Sequence, residues 1–176
     1  MGSPVQTLAD LVPTQPRMVC VGTNPAPTSV AAGHYYQGRL GQRLFDRLRQ
    51  VDLLPEQVDG WEDDEAFGRG VGFTDIVKRP TGSASEVTPA EFRYGAEVLA
   101  AKLAAWEAPL VVFAFKSAAT RLLGPFEGNG FVARLRVGMS AVFVMPGPYE
   151  SREKADNTLE SLRDWLQNNP PTTAAS

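Results

Sequence analysis

The chain has 176 residues, 43% of them apolar and 21% charged, with a formal net charge of −3, which suits one folded domain and excludes a disordered chain. A single cysteine, Cys20, rules out an internal disulfide and, with a single histidine, His34, argues against a zinc, cluster or His-rich metal site, so no metal or other cofactor is expected. No apolar run approaches the ~18 residues of a membrane span, and "MGSPVQTLAD" has neither the basic start nor the apolar core of a secretory leader, so a cytoplasmic protein with no membrane partner is expected.

Residues 1–17 read as an N-terminal extension, 18–168 as a single domain and 169–176 as a disordered tail. "RMVCVGT" is a short apolar run ended by glycine, the pattern of a buried strand. It delivers Thr23 and Asn24 to a strand's carboxyl end, where α/β proteins bind ligands. "RLGQRLFDRLRQV" places Leu40, Leu44, Phe45, Leu48 and Val51 on one helical stripe, with arginines on the other faces. The acidic stretch "DGWEDDEAF" (59–67) is balanced by Arg39, Arg43, Arg47 and Arg49, so a local basic face is compatible with the negative sum; ordinary solvated charges are the alternative.

"GVGFTDIV" (70–77) is a second apolar run and carries Asp75 near its end. "TPAEFRYGAEVLAAKLAAW" is the clearest helix: Thr88 caps it, Pro89 fits its first position, and Glu91 completes a capping box. "PLVVFAF" reads as a strand buried on both faces, and "KSAATRLLG" as a short helix stopped by Gly124. "MSAVFVMPGPY" gives another strand. The last helix, capped by Ser151, buries Ala155, Leu159, Leu162 and Leu166. Alternating strands and helices imply an α/β fold, a mostly parallel sheet with helices on both sides. The loops that follow the strands then gather at one edge of the sheet.

Four of these pieces, in order, resemble the mismatch-specific uracil and thymine DNA glycosylase family. They are "GTNPA", with "GHYY" (33–36) nine to twelve residues beyond the asparagine; "GFTDIVKRPT"; the helix opening "EVTPAEFRYG"; and "VFAFK". The resemblance covers about Met18 to Trp165. It implies a three-layer α/β/α fold around a sheet of about four to five strands. It also implies a monofunctional enzyme that rotates a nucleotide out of double-stranded DNA and hydrolyses the N-glycosidic bond of uracil in a U:G or related mispair. One copy per lesion, a monomer, is expected, associated with the nucleoid of a bacterial cytoplasm.

The resemblance assigns Asn24 the positioning of the attacking water, since an amide orients water through its carbonyl oxygen but takes no proton at neutral pH. An Asn-Pro turn is the structural alternative. Asp75 departs from the family, whose members carry asparagine or lysine there; a carboxylate at this strand end can share or take over the catalytic role. Capping a turn, or pairing with Lys78 or Arg79, is its alternative. Tyr36 is expected to stack on the flipped base, against the alternative of a core aromatic. His34 and Tyr35 are expected to flank the pocket or reach toward phosphate. The backbone amides of Gly22 and Thr23 are expected to meet the leaving base, and Lys116 to contact phosphate or support the first loop, against the alternative of a solvated helix-start lysine. In "MPGPYESR", the place of the loop that wedges into the duplex, Pro148 and Tyr149 are the candidate wedges and Arg152 a phosphate contact, with Arg39 and Arg43 adding backbone contacts. Rival readings are a non-catalytic lesion-binding module and a small-molecule hydrolase on the same sheet. The second lacks a G-x-G-x-x-G, a P-loop and a G-x-S-x-G.

Overall fold

The computed structural model describes residues 4–147 and 149–170, with the backbone alone at 134 and 135. In chain order the elements are β1 (Met18–Gly22), α1 (Pro27–Ala32), α2 (Gln42–Gln50), α3 (Glu62–Gly68), β2 (Val71–Asp75), α4 (Pro89–Trp106), β3 (Leu110–Phe113), α5 (Lys116–Leu123), β4 (Gly130–Val137), β5 (Ser140–Val144) and α6 (Arg152–Asn168). They form one five-stranded sheet in the order β2-β1-β3-β5-β4, parallel except for β4, which pairs antiparallel with β5.

The parallel strands are short apolar runs because both of their faces are covered. Alternate residues serve opposite layers. Cys20, Phe73, Val112 and Phe143 pack with Leu44, Phe45 and Leu48 of α2 and with Leu159, Leu162 and Leu166 of α6. Val19, Val21, Val111 and Val142 pack with Phe92, Leu99 and Leu103 of α4 and with Ala118 and Ala119 of α5. The result is the expected α/β/α arrangement with a mostly parallel central sheet.

Local chemistry fixes the ends of the helices. Thr88 and Glu91 form the expected capping box at α4, and the Ser151 side chain accepts from the Lys154 amide at α6. The helical stripe expected from Leu40 to Val51 is corrected at its start. Gly41 precedes α2, and Leu40, 43% exposed, lies outside the buried stripe assigned to it. The N-terminal segment packs on the domain: Leu8 is buried, and Leu11 bridges Phe73 through backbone bonds of 3.0 and 2.6 Å. Of the tail expected to be disordered, residues 171–176 lie outside the described residues.

The chain leaves β1 toward α1–α3 and leaves β3 toward α5, which belongs to the opposite layer. The crevice between two such departures, at the carboxyl ends of the strands, is where open α/β sheets bind ligands.

Candidate active site

Strands β1 and β2 pair in register, with Gly22 opposite Asp75. Past the strand ends the two loops stay zipped: the Ile76 amide donates to the Gly22 carbonyl at 3.0 Å, Val77 to Thr23 at 2.9 Å and Thr81 to Pro25 at 3.2 Å. Asn24 and Asp75, far apart in sequence, therefore reach one cleft of about 500 Å³. Gly22, Thr23 and Tyr36 line the same cleft, as do Phe115 and Ser117 from the β3 exit. Gly22 has a steric reason to be glycine, because a Cβ there would lie 2.2 Å from Asp75 Oδ1 and 3.1 Å from the Tyr36 hydroxyl.

The orientation of the Asn24 amide follows from its partners. Thr81 Oγ1 spends its only proton on the Ser83 carbonyl at 2.6 Å, so toward Asn24 it must accept. Asn24 Nδ2 donates to that hydroxyl at 2.7 Å and to the Pro25 carbonyl at 3.2 Å. Both N–H groups are spent, and Oδ1 takes no hydrogen bond among the described residues. Thr81 lies within "GFTDIVKRPT", and no sequence pattern marks it for the site because its side-chain contact with Asn24 joins two separate loops.

Asp75 lines the cleft while only 5% exposed, and its Oδ2 has no hydrogen-bond partner among the described residues. Burial pushes its carboxyl up to about 7; the Lys78 ammonium pulls it down and Asp10 pushes it further up. The pairing considered as its alternative is not the one formed. Lys78 is bound to Asp10, and Arg79 to Glu91 with Nη2–Oε2 at 3.0 Å.

Tyr36 adopts a left-handed backbone conformation, φ 58°, and Gly41 packs against it so closely that a Cβ would lie 2.6 Å from its carbonyl oxygen. Its ring meets Phe45 and Phe73 edge-on, with centroids 6.2 and 6.1 Å away, and its buried hydroxyl has no partner among the described residues. Burial, then Asp75, raise that phenol well above its ordinary range. Tyr36 is thus both a flank of the core and a wall of the cleft. The Thr23 amide donates no hydrogen bond among the described residues, leaving a backbone donor at the cleft.

The other expected site residues divide. Tyr35 lines the cleft, but its hydroxyl donates to the Ala9 carbonyl at 2.9 Å. His34 is outside the lining. Its Nδ1 meets Asp63 Oδ1 at 2.9 Å and its ring stacks on Trp61 at 4.2 Å, while Asp63 Oδ2 accepts from the Tyr35 amide at 2.8 Å. Lys116 is exposed beside the cleft, its Nζ 5.5 Å from the Phe126 ring. Arg39 is on the cleft's rim, and Arg43 lines an adjoining notch with Leu40, Arg47, Phe115, Met145 and Pro146. Tyr149 is 88% exposed, Arg152 is exposed and 3.7 Å from Asp156, and Pro148 lies outside the described residues. Glu150, of the wrong sign for a DNA contact, is turned inward: its Oε2 accepts from Asn129 Nδ2 at 2.9 Å and from the Gly147 amide at 3.2 Å. Leu8, which no sequence pattern marked, also lines the cleft.

Residues 9–168 match the family model described as the Uracil DNA glycosylase superfamily. That span holds the whole sheet, both helical layers and, apart from Leu8, every cleft residue described above. The chain belongs to the uracil DNA glycosylase superfamily, a family of hydrolytic DNA glycosylases that act on DNA.

Proposed function

We propose that the chain is a mismatch-specific member of this superfamily, excising uracil and other mispaired or damaged pyrimidines opposite guanine in base excision repair. One observation carries the reading. Among the described residues, the Asn24 amide has only its carbonyl oxygen uncommitted and the Asp75 carboxyl has no hydrogen-bond partner, and both share a cleft with Tyr36.

In this account the nucleotide is rotated out of the duplex and its base enters the cleft beside Tyr36. Asn24 Oδ1 orients a water below the sugar. As the C1′–N bond breaks, its electron pair leaves with the base and the sugar becomes oxocarbenium-like. The water oxygen bonds to C1′, and its proton passes to the Asp75 carboxylate. The Thr23 amide, with Gly22 beside it, meets the negative charge developing on the base oxygens. A carboxyl that burial pushes up to about 7 is matched to accepting a proton near neutral pH. Recognition through backbone donors and ring contact tolerates substituents at the pyrimidine C5, so the substrate range is wider than uracil. Poorly paired bases cost least to extrude, which favours G mispairs over pairs with adenine.

The test is a labelled duplex with one U:G pair, incubated with the protein and then treated with alkali. Strand cleavage at the uracil position, faster than in a U:A duplex and seen also with thymine or 5-substituted uracils opposite guanine, is the expected result. A salt-sensitive gel shift without cleavage would make the protein a lesion-binding module instead. Cleavage restricted to uracil would overturn the broad substrate range.

A further inference from the structure

Asp75 has an obvious partner in Lys78, three residues on, yet does not pair with it. The Lys78 ammonium is bound by Asp10, from the N-terminal segment. Asp10 also accepts from Lys102 Nζ of α4 at 2.6 Å and from Thr74 Oγ1 at 2.6 Å. Thr74 and Asp75 are consecutive in a strand, so their side chains leave opposite faces of the sheet. Lys78 Nζ also donates to the Tyr35 hydroxyl at 3.1 Å. The segment bearing Asp10 is itself held down, by the Leu11–Phe73 bridge, by the Tyr35 hydroxyl on Ala9 and by Thr7 Oγ1 donating to the Lys78 carbonyl. Lys78 is thereby gripped from three sides while Asp75 Oδ2 has no partner among the described residues.

We propose that Asp10 is a positioning residue for base excision: by capturing Lys78 it keeps that ammonium off Asp75 and leaves the Asp75 carboxyl unpaired, as a proton acceptor must be. The inference rests on Asp75 acting as the base, and it gives the N-terminal segment a part in the reaction. Several groups among the described residues bear on Asp75. The loop after α1 brings the hydroxyls of Tyr35 and Tyr36, β1 brings Gly22 and the Cys20 thiol, which burial keeps protonated, and Arg39 is at the cleft's rim. Lys78 comes from the loop after β2, Asp10 from the N-terminal segment and, held by Asp10, Lys102 from α4. Of these, Lys78 is the cation that a local movement would bring onto Asp75, and Asp10 is the group that opposes it.

The experiment uses the full chain and two readouts: the carboxyl ¹³C titration of Asp75 without DNA, and single-turnover uracil release from a U:G duplex across pH. In Asp10→Asn the released Lys78 pairs with Asp75, so the titration midpoint falls by at least about one pH unit. The rising limb of the rate profile moves down with it, and the plateau rate falls about tenfold as the base weakens. Adding Lys78→Met to Asp10→Asn returns the midpoint to the wild-type value or above. Should Asp10→Asn alone fold poorly, the comparison is Lys78→Met against the double variant, whose midpoints then differ by less than about one pH unit, the remainder being the direct push of the Asp10 charge on Asp75; a drop of about one unit or more without Lys78 present overturns the proposal. An unmoved midpoint in Asp10→Asn, or a midpoint that stays low after Lys78 is removed, overturns the proposal. A midpoint that moves as stated, with excision indifferent to Asp75→Asn, supports the hold of Asp10 on Lys78 and overturns only the reading of Asp75 as the base.

Discussion

Asp75 carries opposing demands of stability and chemistry. Its carboxyl prefers to be protonated in the folded chain, where burial pushes it up to about 7 from an ordinary value of 3.8. The folded state therefore holds a proton that the unfolded chain has released between about pH 4 and 7, so stability is greatest below that window and falls as pH rises through it. The loss is on the order of 4 kcal/mol once the group is ionised. Asp75→Asn removes this penalty. Urea unfolding at pH 5 and pH 8 is expected to show a decline in the wild type that is largely absent from the variant, and the variant to be the more stable protein at pH 8. Equal declines in both would show that Asp75 does not titrate in that window.

At the scale of elements, the parts that local chemistry specifies were legible in the sequence. The Thr88, Pro89 and Glu91 opening of α4, the two-sided apolar run of β3 and the stripe of α6 each announce themselves. The antiparallel edge strand β4 was not legible, because "FVARLR" mixes charge with apolar residues and its pairing with β5 comes from a hairpin through Gly138 and Met139. In the sequence, helix α3 shows only as the acidic stretch 59–67. Its Glu62, Asp63, Asp64 and Glu65 crowd the first turn, where the helix dipole favours negative charge, and only Asp63 and Ala66 are buried. In the site, Asn24 and Asp75 could be read as strand-end residues, whereas Thr81, Leu8 and the grip of Asp10 on Lys78 depend on contacts between distant segments.

Gly95 sits inside α4 against the exit of β2. Glycine inside a helix costs about 1 kcal/mol relative to alanine, so Gly95→Ala would ordinarily stabilise α4. Here a Cβ would lie 2.1 Å from the Ile76 carbonyl, where α4 crosses the exit of β2. The substitution is expected to destabilise the protein by about 1–3 kcal/mol in urea unfolding, as overpacking does, and to disturb the strand end that carries Asp75.

At the scale of the whole molecule, a net charge of −3 does not describe the surface around the cleft. Much of the acid is committed within the fold: Asp63 holds the Tyr35 amide and His34, Glu62 meets Arg49 at 3.3 Å, Glu65 meets Arg69 at 2.8 Å, and Glu150 closes its own loop. Arg39 remains on the rim, and Arg43 and Arg47 line the notch beside it. Duplex binding is therefore expected to weaken steeply with salt. Arg39→Ala should lower the slope of log K against log salt by about 1 without changing which mispair is preferred, measured by fluorescence anisotropy at several salt concentrations. Excision is assigned to the chemistry at Asn24 and Asp75. The most direct test of that assignment is single-turnover release of uracil from a U:G duplex from pH 5 to 9, wild type against Asp75→Asn. The wild-type rate is predicted to rise to a plateau above about pH 7, with the variant slower by at least about 100-fold and lacking that rise. A variant that releases uracil at the wild-type rate would contradict it.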